Sequence, residues 1–171
     1  MDASQFKALF LPCTDRLYAS ALRLEGNRQA AEDLVQDTLL RLWTQRDSMP
    51  PHLLPAAYAM ATLRHLYCDR MRRGEPAEAD LVPEQLTLTD KAQEESADNG
   101  RITQDVETVK TIMSHLPASQ RMVMTLHDIE QLDNEEISQL TGLKENNIRV
   151  LLHRARSTVR KEFHRIKRLS D

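Results

Sequence analysis

The sequence predicts an all-α chain made of two small helical domains joined by an acidic flexible linker, the second domain carrying a helix-turn-helix. Three observations lead there. Leu, Ala, Arg, Gln, Glu and Met are plentiful, aromatics make up 4 % and only four of 171 residues are glycine, a composition of helix formers. Apolar residues recur at three- and four-residue spacing on both sides of a central stretch. That stretch holds "GEPAEADLVPEQ" and "KAQEESADNG", rich in acids and broken by Pro and Gly, and it reads as a tether. The expected division is 1–75, a linker over 76–104, and 105–171.

The first domain reads as three helices. Residues 4–24 carry an apolar stripe through Phe6, Leu9, Phe10, Leu17, Ala21 and Leu24, interrupted or bent at Pro12. Gly26 and Asn27 supply a turn. A second helix over about 28–46 turns Ala31, Leu34, Val35, Thr38, Leu39 and Leu42 inward, until "DSMPPHLLP" breaks it. A third, over about 56–73, is closed by Gly74. Past the linker, "QDVETVKTIMSHL" sets Val106, Val109, Ile112, Met113 and Leu116 on one side, and Pro117 opens the next helix at a position where its missing N–H costs nothing.

"DNEEISQLTGLKENNIRVLLHRAR" then has helix-turn-helix spacing. Asp133 and Glu136 form a capping box, Ile137 and Leu140 face inward, and Ser138 is small enough for a close crossing. Gly142 falls where the chain must turn sharply, with positive φ expected. Leu143 plugs the turn, and Ile148, Leu151, Leu152, Ala155 and Val159 continue an apolar face. The opposite face presents amides and guanidinium forks suited to base edges and phosphates. Charge agrees. The chain totals −3, yet residues 149–168 hold eight basic side chains against Glu162 alone, whereas residues 74–110 carry 3 basic and 10 acidic.

Other classes find little support. No apolar run reaches membrane-span length, and the N-terminus lacks a secretion signal, so a cytoplasmic protein without membrane insertion is expected. Cys13 and Cys68 are too few for a disulfide framework. His65 and Cys68 could share a helix face, but no further ligands stand at metal-binding spacing, so neither metal nor cofactor is expected. No Gly-rich phosphate loop, nucleophile elbow or paired-carboxylate pattern occurs, so no catalytic residues are expected and the chain is read as a non-enzyme. A stand-alone helix-turn-helix regulator stays open beside any larger reading.

"LPASQRMVMTLHDIEQLDNEEISQLTGLKENNIRVLLHRARSTVRK" resembles the promoter-binding C-terminal region of bacterial sigma factors of the sigma-70 superfamily, above all the extracytoplasmic-function (ECF) type. "LYASALRLEGNRQAAEDLVQDTLLRLW" and "LRHLYCDRMRR" are similar to the family's polymerase-docking helix and the helix after it, in the family's order. The resemblance implies core RNA polymerase, promoter DNA and an anti-sigma factor as partners. It implies core-polymerase docking through Asp33, Gln36, Asp37, Leu40 and Arg41. Contact with the −10 element falls to Arg46, Ser48, Met49, His52, Arg64, His65, Arg70, Arg72 and Arg73. Contact with the −35 element falls to Lys144, Asn146, Asn147, Arg149, Val150, His153, Arg154 and Arg156, with Val150 suited to a thymine methyl. The acidic tether is expected to weaken DNA binding in the absence of polymerase.

Overall fold

The computed structural model describes residues 1–74 and 97–170, with the backbone alone for 97–99; most of the expected linker, and its expected effect on DNA binding, lies outside them. Among the described residues the regular structure is entirely helical. Helix α1 (Ala3–Phe10) starts at a capping box in which Asp2 accepts from the Gln5 backbone and Gln5 returns the bond. Pro12 lies in a 3₁₀ turn, Leu11–Cys13, that hands the chain to α2 (Thr14–Glu25). Gly26 closes α2 at φ 75°, and Asn27 caps α3 (Arg28–Thr44) by accepting from the Ala30 amide at 2.8 Å. Pro55 opens α4 (Pro55–Arg72), where a proline fits the first turn.

These four helices enclose Phe10, Leu17, Ala21, Leu24, Leu34, Leu42, Ala59, Leu63 and Tyr67. Phe6 stacks between Phe10 and the edge of Trp43, ring centres 4.8 and 5.2 Å away, which ties α1 to the end of α3. Two of the polar groups buried there are satisfied within the bundle: Thr38 donates to the Leu34 carbonyl and Tyr67 to the Leu24 carbonyl. Burial pushes the Cys68 thiol up to about 12, and Cys68 is 1 % exposed. It is therefore expected to resist alkylation at pH 8 until denaturant is added, as mass spectrometry of iodoacetamide-treated protein would read.

The second half builds α5 (Ala97–Ser114), α6 (Ala118–Met124), α7 (Asn134–Thr141) and α8 (Glu145–Ser170). Residues 97–104, expected in the linker, are the first turns of α5. Pro117 is the cap residue rather than the first helical one: at ψ 143° its carbonyl receives the Arg121 amide. Between α6 and α7 the helix widens into one π turn, Thr125–Ile129, where the Glu130 amide reaches back five residues to Thr125. Of the expected stripe residues, Leu9 and Val106 stand exposed, whereas Phe10 on α1, and Val109, Ile112 and Met113 on α5, form the inner face as expected.

The two helical units that the sequence predicts pack against each other, and their buried residues form one continuous core, with α2 against α5 and α6, and α4 against α7.

Candidate nucleic-acid and polymerase-docking surfaces

The α7–turn–α8 unit is held by short-range bonds that its sequence specifies. The Asp133 side chain accepts from the Glu136 amide at 2.8 Å and Glu136 accepts from the Asp133 amide at 2.9 Å, completing the capping box. Gly142 ends α7 at φ 77°, its amide on the Ser138 carbonyl. The Ser138 hydroxyl donates to the Leu143 carbonyl at 2.6 Å, and the Leu143 amide donates to Thr141 Oγ1. A Cβ on Gly142 would meet only the Arg72 side chain, at 3.8 Å, so the cost of Gly142→Ala is conformational. We expect it to destabilise by about 1–2 kcal/mol, read as a lowered Tm.

Ile148, Leu152, Ala155 and Val159 pin the inner face of α8. That leaves Lys144, Asn146, Asn147, Arg149, Val150, His153, Arg154 and Arg156 exposed. Arg149 donates to Asn146 Oδ1 at 3.1 Å and pairs with Glu145, exposed contacts weak enough to exchange for a base or a phosphate. Arg156 is held more firmly: Asp128, in the π turn, accepts from its Nε at 3.0 Å and its NH2 at 2.5 Å, and His127 lies 3.2 Å from NH2. The hydrogen bond from Arg156 holds the Asp128 carboxyl below its ordinary range. Arg149, His153, Arg156 and Arg160, with His127 and Asn134, line a concavity of about 390 Å³ on this face. Three guanidinium groups around one hollow suit a backbone phosphate. Sequence reasoning missed His127 and Asp128, which stand 28 residues or more before Arg156 and carry no local signal.

On α3, burial of Ala31, Leu34, Val35, Thr38 and Leu42 turns Asp33, Gln36, Asp37, Leu40 and Arg41 outward. Leu40 is 63 % exposed amid charges and amides, the make-up of a protein contact. Asp37 is not free, since it pairs with Arg70, which also lies 3.6 Å from the buried Glu25. Burial raises the Glu25 carboxyl, against the opposing pull of Arg70 and Arg121.

The residues expected at the −10 element are spread over the 3₁₀ turn Arg46–Ser48, the loop after it and α4. Arg46 lies over the Trp43 ring, 4.0 Å from its centre, and donates to the Trp43 carbonyl. Ser48 donates to the Gln45 carbonyl in the 3₁₀ turn Arg46–Ser48, Met49 packs on the core, and His52 is exposed. On α4, His65 and Arg73 are exposed, Arg72 pairs with Asp69, and Arg64 points into the second half of the chain.

Residues 9–76 match the family model for Sigma-70 region 2 and residues 107–159 that for Sigma-70 region 4. The chain is 30 % identical over 149 residues to the ECF RNA polymerase sigma factor EcfG of Rhodopseudomonas palustris, covering 86 % of this chain and 78 % of that one. The chain belongs to the ECF sigma factors. It is also 30 % identical over 149 residues to the ECF sigma factor SigE of Mycolicibacterium smegmatis, with 85 % of this chain and 56 % of SigE aligned, so it spans about half the length of that relative. Among solved structures, the sigma factor RpoE of Bartonella quintana, crystallised with the anti-sigma factor NepR, superposes with a TM-score of 0.60 at 26 % identity, covering 96 % of this chain and 99 % of that one. Helix α3 thus lies in sigma region 2 and the helix-turn-helix in sigma region 4. Among the described residues no helix is long and apolar enough to cross a membrane.

Proposed function

We propose that this ECF sigma factor binds core RNA polymerase through the exposed face of α3 and gives the enzyme its promoter choice. It does so by binding, without catalysis of its own, in the cytoplasm where polymerase and promoters are. The N-terminal unit, residues 1–75, engages the −10 element through α4 and the loop before it. The C-terminal unit, residues 105–171, lays α8 in the major groove of the −35 element. An anti-sigma factor is the expected antagonist, as NepR is found with the Bartonella protein. The observation that carries this reading is the presence, in order on one chain, of both matched regions, with the outer face of α8 free of the core.

The test is co-elution of the full chain with core RNA polymerase, followed by run-off transcription from a bound promoter. Failure to co-elute, together with tight binding of the chain alone to duplex DNA, would favour a stand-alone regulator. Arg149→Ala is expected to weaken −35 recognition about 5- to 150-fold and to relax preference at one base pair, as competition against promoter variants would show.

A further inference from the structure

Among the described residues of α8, Arg156 is the arginine that another element grips. Arg149 meets only its own helix, through Asn146 and Glu145, and Arg165 likewise pairs with Glu162 one turn before it. Arg156 is forked by Asp128 from the π turn: Oδ2 accepts from Nε at 3.0 Å and Oδ1 from NH2 at 2.5 Å. That fork uses one edge of a planar group. NH1 keeps both of its hydrogens and NH2 its second one, and NH1 bonds to nothing among the described residues. Two parallel N–H groups on one guanidinium edge are what a pair of phosphate oxygens takes.

The same carboxylate holds His127. Its Nδ1 lies 2.8 Å from Asp128 Oδ1, and an ionised carboxylate only accepts, so Nδ1 carries the hydrogen and donates it. The 3.2 Å between that nitrogen and Arg156 NH2 is therefore the spacing of two donors that share one oxygen. The hydrogen bond from Arg156 keeps the Asp128 carboxyl below its ordinary range, so its charge is present at neutral pH. Its acidic neighbour Glu130 cannot replace it, since that side chain accepts from Ser20 and Arg64 in the other half of the chain. Held this way, Arg156 and His127 border the hollow that Arg149 and Arg160 also line.

An acid beside an arginine acts on DNA binding in two opposite ways. As a charge it repels phosphate and weakens binding. As a positioning group it fixes a long side chain in advance, so that the ordering DNA would otherwise impose is already done. The first effect is small here, because the pair is partly open to solvent, with Arg156 44 % and Asp128 27 % exposed. The second is large for a side chain with as many rotatable bonds as arginine. The two-point fork fixes the plane of the guanidinium as well as its place.

Resting on the reading of α8 as the DNA-binding helix, we propose that Asp128 is a positioning residue for promoter DNA, orienting Arg156 before binding so that its open edge takes a backbone phosphate. A double-mutant cycle on the full chain tests this, by fluorescence anisotropy on a labelled duplex that the chain itself selects from a random-sequence pool. Arg156→Ala is expected to weaken binding about tenfold and to lower the salt slope by about 1. Asp128→Ala is expected to weaken it about 3- to 10-fold in the wild-type background, and not at all beside Arg156→Ala. Beside Arg149→Ala the loss is expected in full, because Arg149 does not lean on Asp128. A merely structural Asp128 would cost the same in every background, and that result overturns the proposal. So does tighter binding by the single Asp128→Ala chain. A wild-type chain that selects no duplex overturns the reading of α8 and the proposal with it. Core-polymerase co-elution is scored separately, so loss of docking is distinguishable from loss of positioning.

Discussion

Leu40→Glu is expected to abolish stable co-elution with core RNA polymerase while leaving the helical circular dichroism spectrum unchanged. Leu40 sits on the side of α3 opposite its buried residues and is 63 % exposed, so a carboxylate there disturbs no packing. An apolar side chain ringed by Asp33, Gln36, Asp37 and Arg41 is the kind of contact that concentrates binding energy. Truncating such an anchor costs 2 kcal/mol or more, about 30-fold in affinity, and burying an unpaired charge in its place adds to the loss. Asp37→Arg is a less specific probe, because Asp37 also holds Arg70 and its reversal disturbs α4. Undiminished binding by Leu40→Glu would move the docking site off this face.

Ile137→Ala is expected to lower the melting temperature of both halves of the molecule together. Ile137 is fully buried where α7 meets the core, and deleting its outer carbons costs about 2–5 kcal/mol. For a chain of this size that is a fall of about 4–20 °C. The chain has one tryptophan, Trp43, at the end of α3 in the first half, so its fluorescence reports the N-terminal unit alone. One continuous core across the two units predicts that the Trp43 transition shifts with the circular dichroism transition. A Trp43 midpoint that stays at the wild-type value would mean that the units melt independently.

Local structure was largely legible in the sequence, because its causes are local. Asp133 with Glu136, Gly142, Gly26 with Asn27, and the Pro12 interruption each act within a few residues, and each stands as expected. The family was legible too, through motifs on both halves. What did not show is what depends on distant partners. Arg121 and Glu130 look like ordinary polar positions of an amphipathic segment, yet their partners lie 97 and 66 residues away in α2 and α4. Asp128 gave no sign of its hold on Arg156 for the same reason. The linker boundary was set too late because acidic composition reads as tether, whereas residues 97–104 continue the helix that packs along α8.

The wide turn at Thr125–Ile129 is the feature a one-residue insertion leaves in a helix: the surplus residue is absorbed locally and the segments on either side survive. Its effect is a division of ownership between neighbouring carboxylates. Asp128 serves α8 through Arg156, while Glu130, two positions on, serves the other half of the molecule through Arg64 and Ser20. A length change in this turn would rephase both carboxylates at once. Over descent, the outer face of α8 and the contact between the two halves are therefore bound to vary together, through a stretch that lies outside both α7 and α8.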